Sequence, residues 1–486
     1  MSVLKAEAPP KGAHRYQLEA GLAHLSVAER VARGKAAREQ VPRESHAVFD
    51  PPADRADPVA VLEGQSASRV PELAALRWGR MMVSPFTYYR GAALPMASDL
   101  AGTAVSGLAV QACGDAHLSN FGVFGSAERR LVFDVNDFDE TLPGPWEWDV
   151  KRLAASMEVA GRANGFSGKE RRKIVMATVA GYRDAMRGFA GMSNLEVWYA
   201  HADLEEFRVQ FGARLKARQR KVVDEGLAKA RTRDSMQAVG KLTRLVDGRR
   251  RIVSDPPLVV PVDELVADKV TRKAIESQIG DLIGKYRRTM ETDRRHLLDQ
   301  YQFADMARKV VGVGSVGTRC WIALMQGKDD SDSLFLQVKE AGESVLSSFA
   351  GASKYANQGQ RVVAGQRLMQ AASDIFLGWQ RTEAGLDGQQ RDFYVRQLRD
   401  WKFSVDPETM IPRGLRQYGE LCGWTLARAH ARSGDRIAIT AYLGTSDVFD
   451  QAITQFSGTY ADQNERDYNA LTDAVATGRI TAQPDL

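Results

Sequence analysis

Apolar positions along the chain follow two different spacings, and the change from one to the other marks its organisation. Residues 1–60 are polar and proline-bearing and read as an N-terminal extension with one helix. Ser26 and Glu29 stand three apart ahead of ERVARGKAAREQ, the arrangement of a capping box. PELAALRWGRMM predicts a helix over Val70–Met82, stopped by Ser84-Pro85. GLAVQAC (107–113) and RLVFDV (130–135) are apolar runs of strand length. Helical spacing returns over Asp149–Asn164 and Lys169–Gly188, and residues 201–310 read as mostly helical and charge-rich. Near Lys309 β-branched residues and glycine take over. KVVGVGSVGTRCWIALMQG and LFLQVKEA, joined through GKDDSDS, predict a hairpin. A helix over Gln358–Ala372, two strands in DIFLGWQ and FYVRQL, and helix from Pro412 to the end complete the pattern. Helices, a small antiparallel sheet and helices again predict an α+β fold.

Composition narrows this picture. A chain of 486 residues, 44% hydrophobic and 26% charged, has room for up to three domain-sized units and at least one large core. No run approaches the ~20 apolar residues of a membrane span, and the first twenty residues lack the apolar core of a secretion signal. Three cysteines, Cys113, Cys320 and Cys422, form no CxxC pair, so neither a disulfide framework nor a zinc site is expected. A reducing cytoplasm fits best. The net charge of +5 is mild and suits anionic phosphate substrates as well as nucleic acid. Between Arg208 and Arg251, 14 basic residues face 4 acidic ones, but no aromatic side chain interleaves with the charges from Gly212 to Arg251. A nucleic-acid partner is therefore disfavoured.

Two constellations carry candidate chemistry. The first is Gly114-Asp115-Ala116-His117-Leu118-Ser119-Asn120, followed by Asn136-Asp137-Phe138-Asp139 after the strand LVFDV. Phosphoryl transfer uses one carboxylate to meet the attacking hydroxyl and an amide plus a second carboxylate to hold Mg²⁺. Asp115, Asn120 and Asp137 have the spacing of that set, and D-F-D stands where kinases place D-F-G. Taken alone, such a pair is more often ordinary Asp-rich turn chemistry, and His117 is more often a structural hydrogen-bonder than a ligand. The second constellation is Gly312-Val313-Gly314-Ser315-Val316-Gly317. Strand-like residues follow it, so a dinucleotide fingerprint is disfavoured and a glycine-rich hairpin over phosphates fits better. Lys339 on the next strand is placed to meet those phosphates. The order is inverted relative to ordinary kinases, because the glycine-rich loop comes about 200 residues after the Asp115 loop. Either one of the two matches is chance, or the chain is a circular permutation of a kinase-like fold; ELCGWTLARAHARSG (420–434), similar to a helix that precedes the catalytic loop in aminoglycoside-phosphotransferase-like kinases, sits at the far end of this chain and supports permutation.

SPFTYYRGAA (84–93), CGDAHLSNFG (113–122), DVNDFDET (134–141), VGVGSVGTRCW (311–321), QVKEA (337–341), GQRLMQAASDIFLGW (365–379), FYVRQLRDWK (393–402) and LARAHARSGD (426–435) together resemble the bacterial domain of unknown function family 2252. That family is grouped with protein-kinase-like and aminoglycoside-phosphotransferase-like folds. The resemblance implies a permuted bilobal fold: a large lobe over 61–307, a small lobe over 308–402 and a helical remainder of the large lobe over 403–486. It implies Asp115 as the catalytic base with His117 beside it, Asn120 and Asp137 as Mg²⁺ ligands with Asp139 auxiliary, and Asp149 as the acid that bonds the catalytic loop. Gly312, Gly314, Ser315 and Gly317 would cradle ATP, Lys339 would bind its phosphates, and the backbone of Gln397 and Leu398, at the end of FYVRQL, would read adenine. Two departures stand out. Cys113 replaces a usual His, and no Asp or Glu lies between Ser344 and Ser373 to pair with Lys339, leaving Gln366 as a neutral substitute. The expected activity is ATP- and Mg²⁺-dependent phosphotransfer to a small-molecule hydroxyl or amine; the alternatives are a nucleotide-binding pseudokinase or regulatory module, or nucleotidyl transfer.

Overall fold

The computed structural model describes residues 24–203, 235–265, 279–383, 388–398 and 406–483, with residues 16, 18, 225, 228, 231, 232 and 401. Most of the basic stretch begun at Arg208 lies outside them.

Helix α1 (Val27–Gln40) opens on the expected capping box: Ser26 Oγ accepts the Glu29 N–H, and the Glu29 carboxylate accepts the Ser26 N–H at 2.7 Å. It packs on a C-terminal helix so closely that a Cβ on Gly34 would meet the Ala438 carbonyl oxygen at 2.1 Å. From residue 27 the N-terminal segment thus belongs to the helical body. Helix α2 (Ala74–Met81) is followed directly by α3 (Pro85–Gly91), so Ser84-Pro85, read as a stop, is also a start: Ser84 caps α3 and Pro85 takes its first position.

Strand β1 (Ala109–Ala112) precedes the Asp115 loop, β2 (Phe121–Gly125) and β3 (Leu131–Val135) form a hairpin, and β4 (Leu142–Pro145) returns antiparallel to β1. Helix α4 (Trp146–Ala163) begins three residues before the expected Asp149, because Trp146 is itself buried and stacks on Tyr182 of α5 (Gly168–Ala190), ring centroids 5.6 Å apart. Short strand β5 (Ala202–Asp203) adds to β3.

The described residues between 235 and 310 depart in part from the helical expectation. After α6 (Ser235–Leu242), β6 (Thr243–Val246) and β7 (Arg249–Ile252) form a hairpin about Asp247 and Gly248, both with positive φ, the turn that an Asp-Gly pair favours. The largest sheet, six-stranded, then starts upstream of residue 308, the expected start of a small lobe. It contains β8 (Val259–Pro261), β9 (Gln302–Lys309), β10 (Cys320–Gln326), β11 (Ser333–Ala341), β12 (Gly378–Thr382) and β13 (Arg391–Gln397), all antiparallel, in the order β12-β13-β11-β10-β9-β8. The glycine-rich segment 310–319 is irregular and links β9 to β10 rather than continuing a strand. Helix α7 (Gln358–Met369) joins β11 to β12; it ends before Ala372 because the Ala371 N–H is drawn to Asp134 Oδ2 at 2.9 Å. Asp374–Leu377, read as strand, is a turn closed by Asp374, which accepts the Phe376 N–H. Alternation along β11 sends Leu334 and Leu336 to one face and Phe335, Gln337 and Lys339 to the other. On that second face α6 covers Ile322, Leu324 and Phe335 with Ala238 and Val239.

The C-terminal helices α8 (Pro412–Ser433), α9 (Arg436–Leu443) and α10 (Val448–Ala476) close the body as expected. Helix α8 meets α5 through Gly419 and Gly423, where a Cβ would lie 2.1–2.2 Å from Thr178 atoms. The fold is α+β, with several small antiparallel sheets in a largely helical molecule. The three cysteines are buried and unbonded, and among the described residues no helix is long and apolar enough to cross a membrane.

Candidate functional site

Gly114 opens the Asp115 loop at φ +80°, and a Cβ there would meet the Glu140 carbonyl oxygen at 2.3 Å, so only glycine fits. The loop is anchored from below. Asp149 on α4 accepts the N–H of Cys113 at 2.6 Å and of Gly114 at 2.9 Å. Its Oδ2 also lies 3.1 Å from His430 Nε2, whose Nδ1 lies 2.9 Å from the Tyr182 hydroxyl. One turn along α4, Arg152 donates from Nη2 and Nε to Asp115 Oδ1 at 2.7 and 2.9 Å. The two ends of this helical turn therefore fix the backbone before Asp115 and the orientation of its carboxylate.

Asp115 Oδ2 remains on the cleft, 3.7 Å from His117 Nε2. His117 Nδ1 accepts the Ser119 N–H, which places the ring proton on Nε2. Burial, reinforced by the charges of Arg152 and Arg90, holds His117 neutral, far below the usual imidazole range. Its Nε2 is too far from Asp115 to hydrogen-bond it, so Arg152 is what orients that carboxylate. Asn120 donates its amide N–H to the Asp115 carbonyl at 2.8 Å, leaving its Oδ1 for a cation. The Asn136 N–H bonds the Asn120 carbonyl, which ties the second acidic turn to the first.

In that turn Asp137 Oδ1 accepts the Asp139 N–H at 3.1 Å. Lys339 crosses from β11: its Nζ is 2.6 Å from Asp139 Oδ2 and 3.9 Å from Asp137 Oδ2. Tyr394, directly opposite Lys339 in the β11–β13 register, donates its hydroxyl to Asp139 Oδ1 at 2.6 Å. Lys339 is 2% exposed. Burial opposes its charge, but Asp137 and Asp139 outweigh burial and raise its pKa well above the ordinary range. Asp139 is half-buried, and against that partial desolvation Lys339 holds it below the usual carboxylate range. Asp137 moves the other way: burial and the neighbouring Asp139 charge raise it, because Lys339 is spent mainly on Asp139. A cation beside Asp137 would relieve that.

The glycine-rich loop is gripped from outside. Arg69 donates to the carbonyls of Gly314 and Val316, Arg80 to that of Gly312 at 2.7 Å, and the Val70 N–H to that of Gly317 at 2.8 Å. With these carbonyls turned to arginines, the N–H groups of Gly312, Val313, Gly314 and Ser315 have no acceptor among the described residues.

These stretches line one cleft of about 290 Å³. Asp115, His117, Asn120, Asp137, Asp139, Gly312, Gly314 and Ser315 all border it, and Lys339 stands immediately behind Asp139. Besides Lys339, three expected residues do not border it. Gly317 is turned to Val70 and Arg69. Gln397 and Leu398 border a separate cleft of about 430 Å³, and their N–H groups are taken by Asp374 and by the Phe335 carbonyl. Gln366 is not the partner of Lys339; its amide bonds Gln370. That partner is Asp139, inside the acidic turn itself. Arg152, Tyr394 and the loop-clasping Arg69 were not singled out from sequence. Arg152 was findable, because it follows Asp149 by three positions on one helical face.

Among known proteins, residues 69–474 match the model of a family described as an uncharacterized protein conserved in bacteria (DUF2252). No curated protein and no solved structure matches the chain.

Proposed function

The chain belongs to the DUF2252 family of bacterial proteins, and from its cleft we propose that it is an ATP- and Mg²⁺-dependent phosphotransferase with a kinase-like, circularly permuted arrangement, acting on a small-molecule hydroxyl or amine. The observation that supports this most is convergence: the Asp115 loop, the Asp137 turn, the glycine-rich loop and Lys339, spread over more than 200 residues, meet at one cleft. The strands also carry them in a working order, with the glycine-rich loop joining β9 to β10 and the lysine on β11 next door.

The donor set suits Mg²⁺. Asp137 Oδ2 and the Asn120 amide oxygen are hard oxygen donors that face the cleft. A Mg²⁺ held by these two residues would take water and phosphate oxygens as its remaining ligands. Bound there, Mg²⁺ would offset phosphate charge. The protein's own residues do the rest. Loop N–H groups receive phosphate oxygens. The acceptor oxygen or nitrogen bonds the terminal phosphorus as the bond to the ADP oxygen breaks, and its proton passes to Asp115 Oδ2, the oxygen Arg152 leaves open. Lys339 fixes the acidic turn by holding Asp139.

One observation favours a second reading, a nucleotide-binding regulatory module: Arg152 already occupies Asp115 Oδ1. A coupled ADP-release assay with pooled hydroxyl and amine metabolites separates the two. The phosphotransferase reading expects Mg²⁺-dependent release, cut about 10²- to 10⁴-fold by Asp115→Asn. A thermal shift with Mg·ATP but no release above background would establish the module instead.

A further inference from the structure

SPFTYYRGAA, singled out in the sequence, has no part in the chemistry described so far. It forms α3, and its arginine enters the cleft. Tyr89 donates its hydroxyl to the Arg152 carbonyl at 2.7 Å and lies under the Arg152 guanidinium, 4.1 Å from ring centre to carbon. Helix α3 is thus locked to the residue that holds Asp115. Arg90, the next residue, borders the cleft with Asp115, Gly314 and Ser315. Its backbone lies against the tip of the glycine-rich loop, its carbonyl oxygen 3.3 Å from where a Gly314 Cβ would stand.

The other cations near the cleft are committed. Lys339 is held by Asp139 and Asp137. Arg152 is held by Asp115. Arg69 spends its guanidinium on two loop carbonyls. The Arg90 side chain makes no hydrogen bond or ion pair with any described residue, and its Nε is shut off from solvent. Burial opposes its charge, and the fields of Asp115 and Glu408 only partly compensate. A guanidinium stays charged in a protein, and half-burying it with Nε shut off from water and unpartnered carries a cost. Such a cost is tolerated where a ligand brings the counter-charge.

We infer that Arg90 is the phosphoryl-binding cation of this cleft and grips the terminal phosphoryl group of the nucleotide, the group that transfers. This rests on the phosphotransfer reading for the identity of the ligand. It does not rest on it for the anion site, which Arg90 and the unpartnered N–H groups of Gly312 to Ser315 make together. The assignment moves the cationic role from Lys339, whose charge two carboxylates already balance, to a residue some 250 positions earlier in the chain. A planar guanidinium also offers paired donors to two phosphate oxygens, which an ammonium does not.

The test is calorimetric titration of wild type, Arg90→Gln and Arg90→Lys with Mg·ATP, Mg·ADP and pyrophosphate, beside their melting temperatures without ligand. Arg90→Gln is expected to weaken ATP binding about 10- to 100-fold and ADP binding by less than about threefold, with Arg90→Lys in between. The unliganded melting temperature should hold or rise, since no protein partner is lost. Equal weakening of ATP and ADP, or of neither, overturns the inference. So does a fall of several degrees in the unliganded protein in both variants, which would make Arg90 structural. If wild type binds neither nucleotide, the phosphotransfer reading fails and pyrophosphate decides for Arg90 alone. Binding lost in Arg90→Gln upholds the anion site, and binding unchanged or absent in wild type refutes it.

Discussion

Lys339 shows how a single buried charge is kept. An ammonium at 2% exposure survives only with a partner, and Asp139 at 2.6 Å, itself bonded by Tyr394, is that partner. Removing one member strands the other, whereas removing both does not. Asp139→Asn should therefore destabilise the protein by about 3–5 kcal/mol, and the double variant Asp139→Asn/Lys339→Met should recover most of that loss. Urea unfolding midpoints measure both. A double variant as unstable as Asp139→Asn would mean that the pair is not what places these residues. The resemblance implied that Lys339 and the acidic turn share one site, but not that Lys339 pairs directly with Asp139, because β-sheet register and a contact across 200 residues leave no local pattern. A search for the lysine's partner in the following helix stops at Gln366, which lies within reach of Gln370 instead.

Elements were legible where the signal is local. The Ser26–Glu29 box, the strands LVFDV and LFLQVKEA, and the helix before Gly434 all form where side-chain chemistry within a few residues decides. The β6–β7 hairpin was missed because RRRI, read for charge, hid the Asp247-Gly248 turn beside it. The N-terminal segment was read as an extension because its apolar face is narrow: Gly34 and Ala37 dock by closeness rather than by bulk. The short turn Arg43–Ala47 that follows docks by His46, which lies edge-on to Tyr442 of α9 and Phe449 of α10, its Nε2 2.6 Å from the Tyr442 hydroxyl. Burial, with the charge of Lys151, pushes this imidazole down to about 3. Below pH ~6.5 the unfolded chain takes up a proton that the folded one refuses, so this residue's contribution is complete above pH ~6.5 and is lost as the pH falls toward 3. Between pH 7.5 and 5 it should remove about 2 kcal/mol of stability. His46→Gln should flatten that part of the profile in urea titrations at the two pH values. An unchanged slope would place the acid sensitivity elsewhere.

Over the whole molecule the chain order and the spatial order disagree, and the fold resolves the disagreement. Helix α8, from the end of the sequence, supplies the His430 that braces Asp149, and α3, from near its beginning, sits beside the glycine-rich loop. The coarse α+β architecture could be read from element types, whereas the cleft could be suspected only from motif spacing, since four distant segments build it. On the proposed phosphotransferase reading the two acidic positions divide the work: Asp137 would hold the cation, and Asp115 would meet only the acceptor. Calorimetric titration of ATP with and without Mg²⁺, on wild type, Asp137→Ala and Asp115→Ala, tests this directly. Binding to wild type is expected to require Mg²⁺, to weaken at least about tenfold (~1.4 kcal/mol) in Asp137→Ala, and to stay within about threefold of wild type in Asp115→Ala. Equal loss in both variants, or wild-type binding indifferent to Mg²⁺, would contradict that reading.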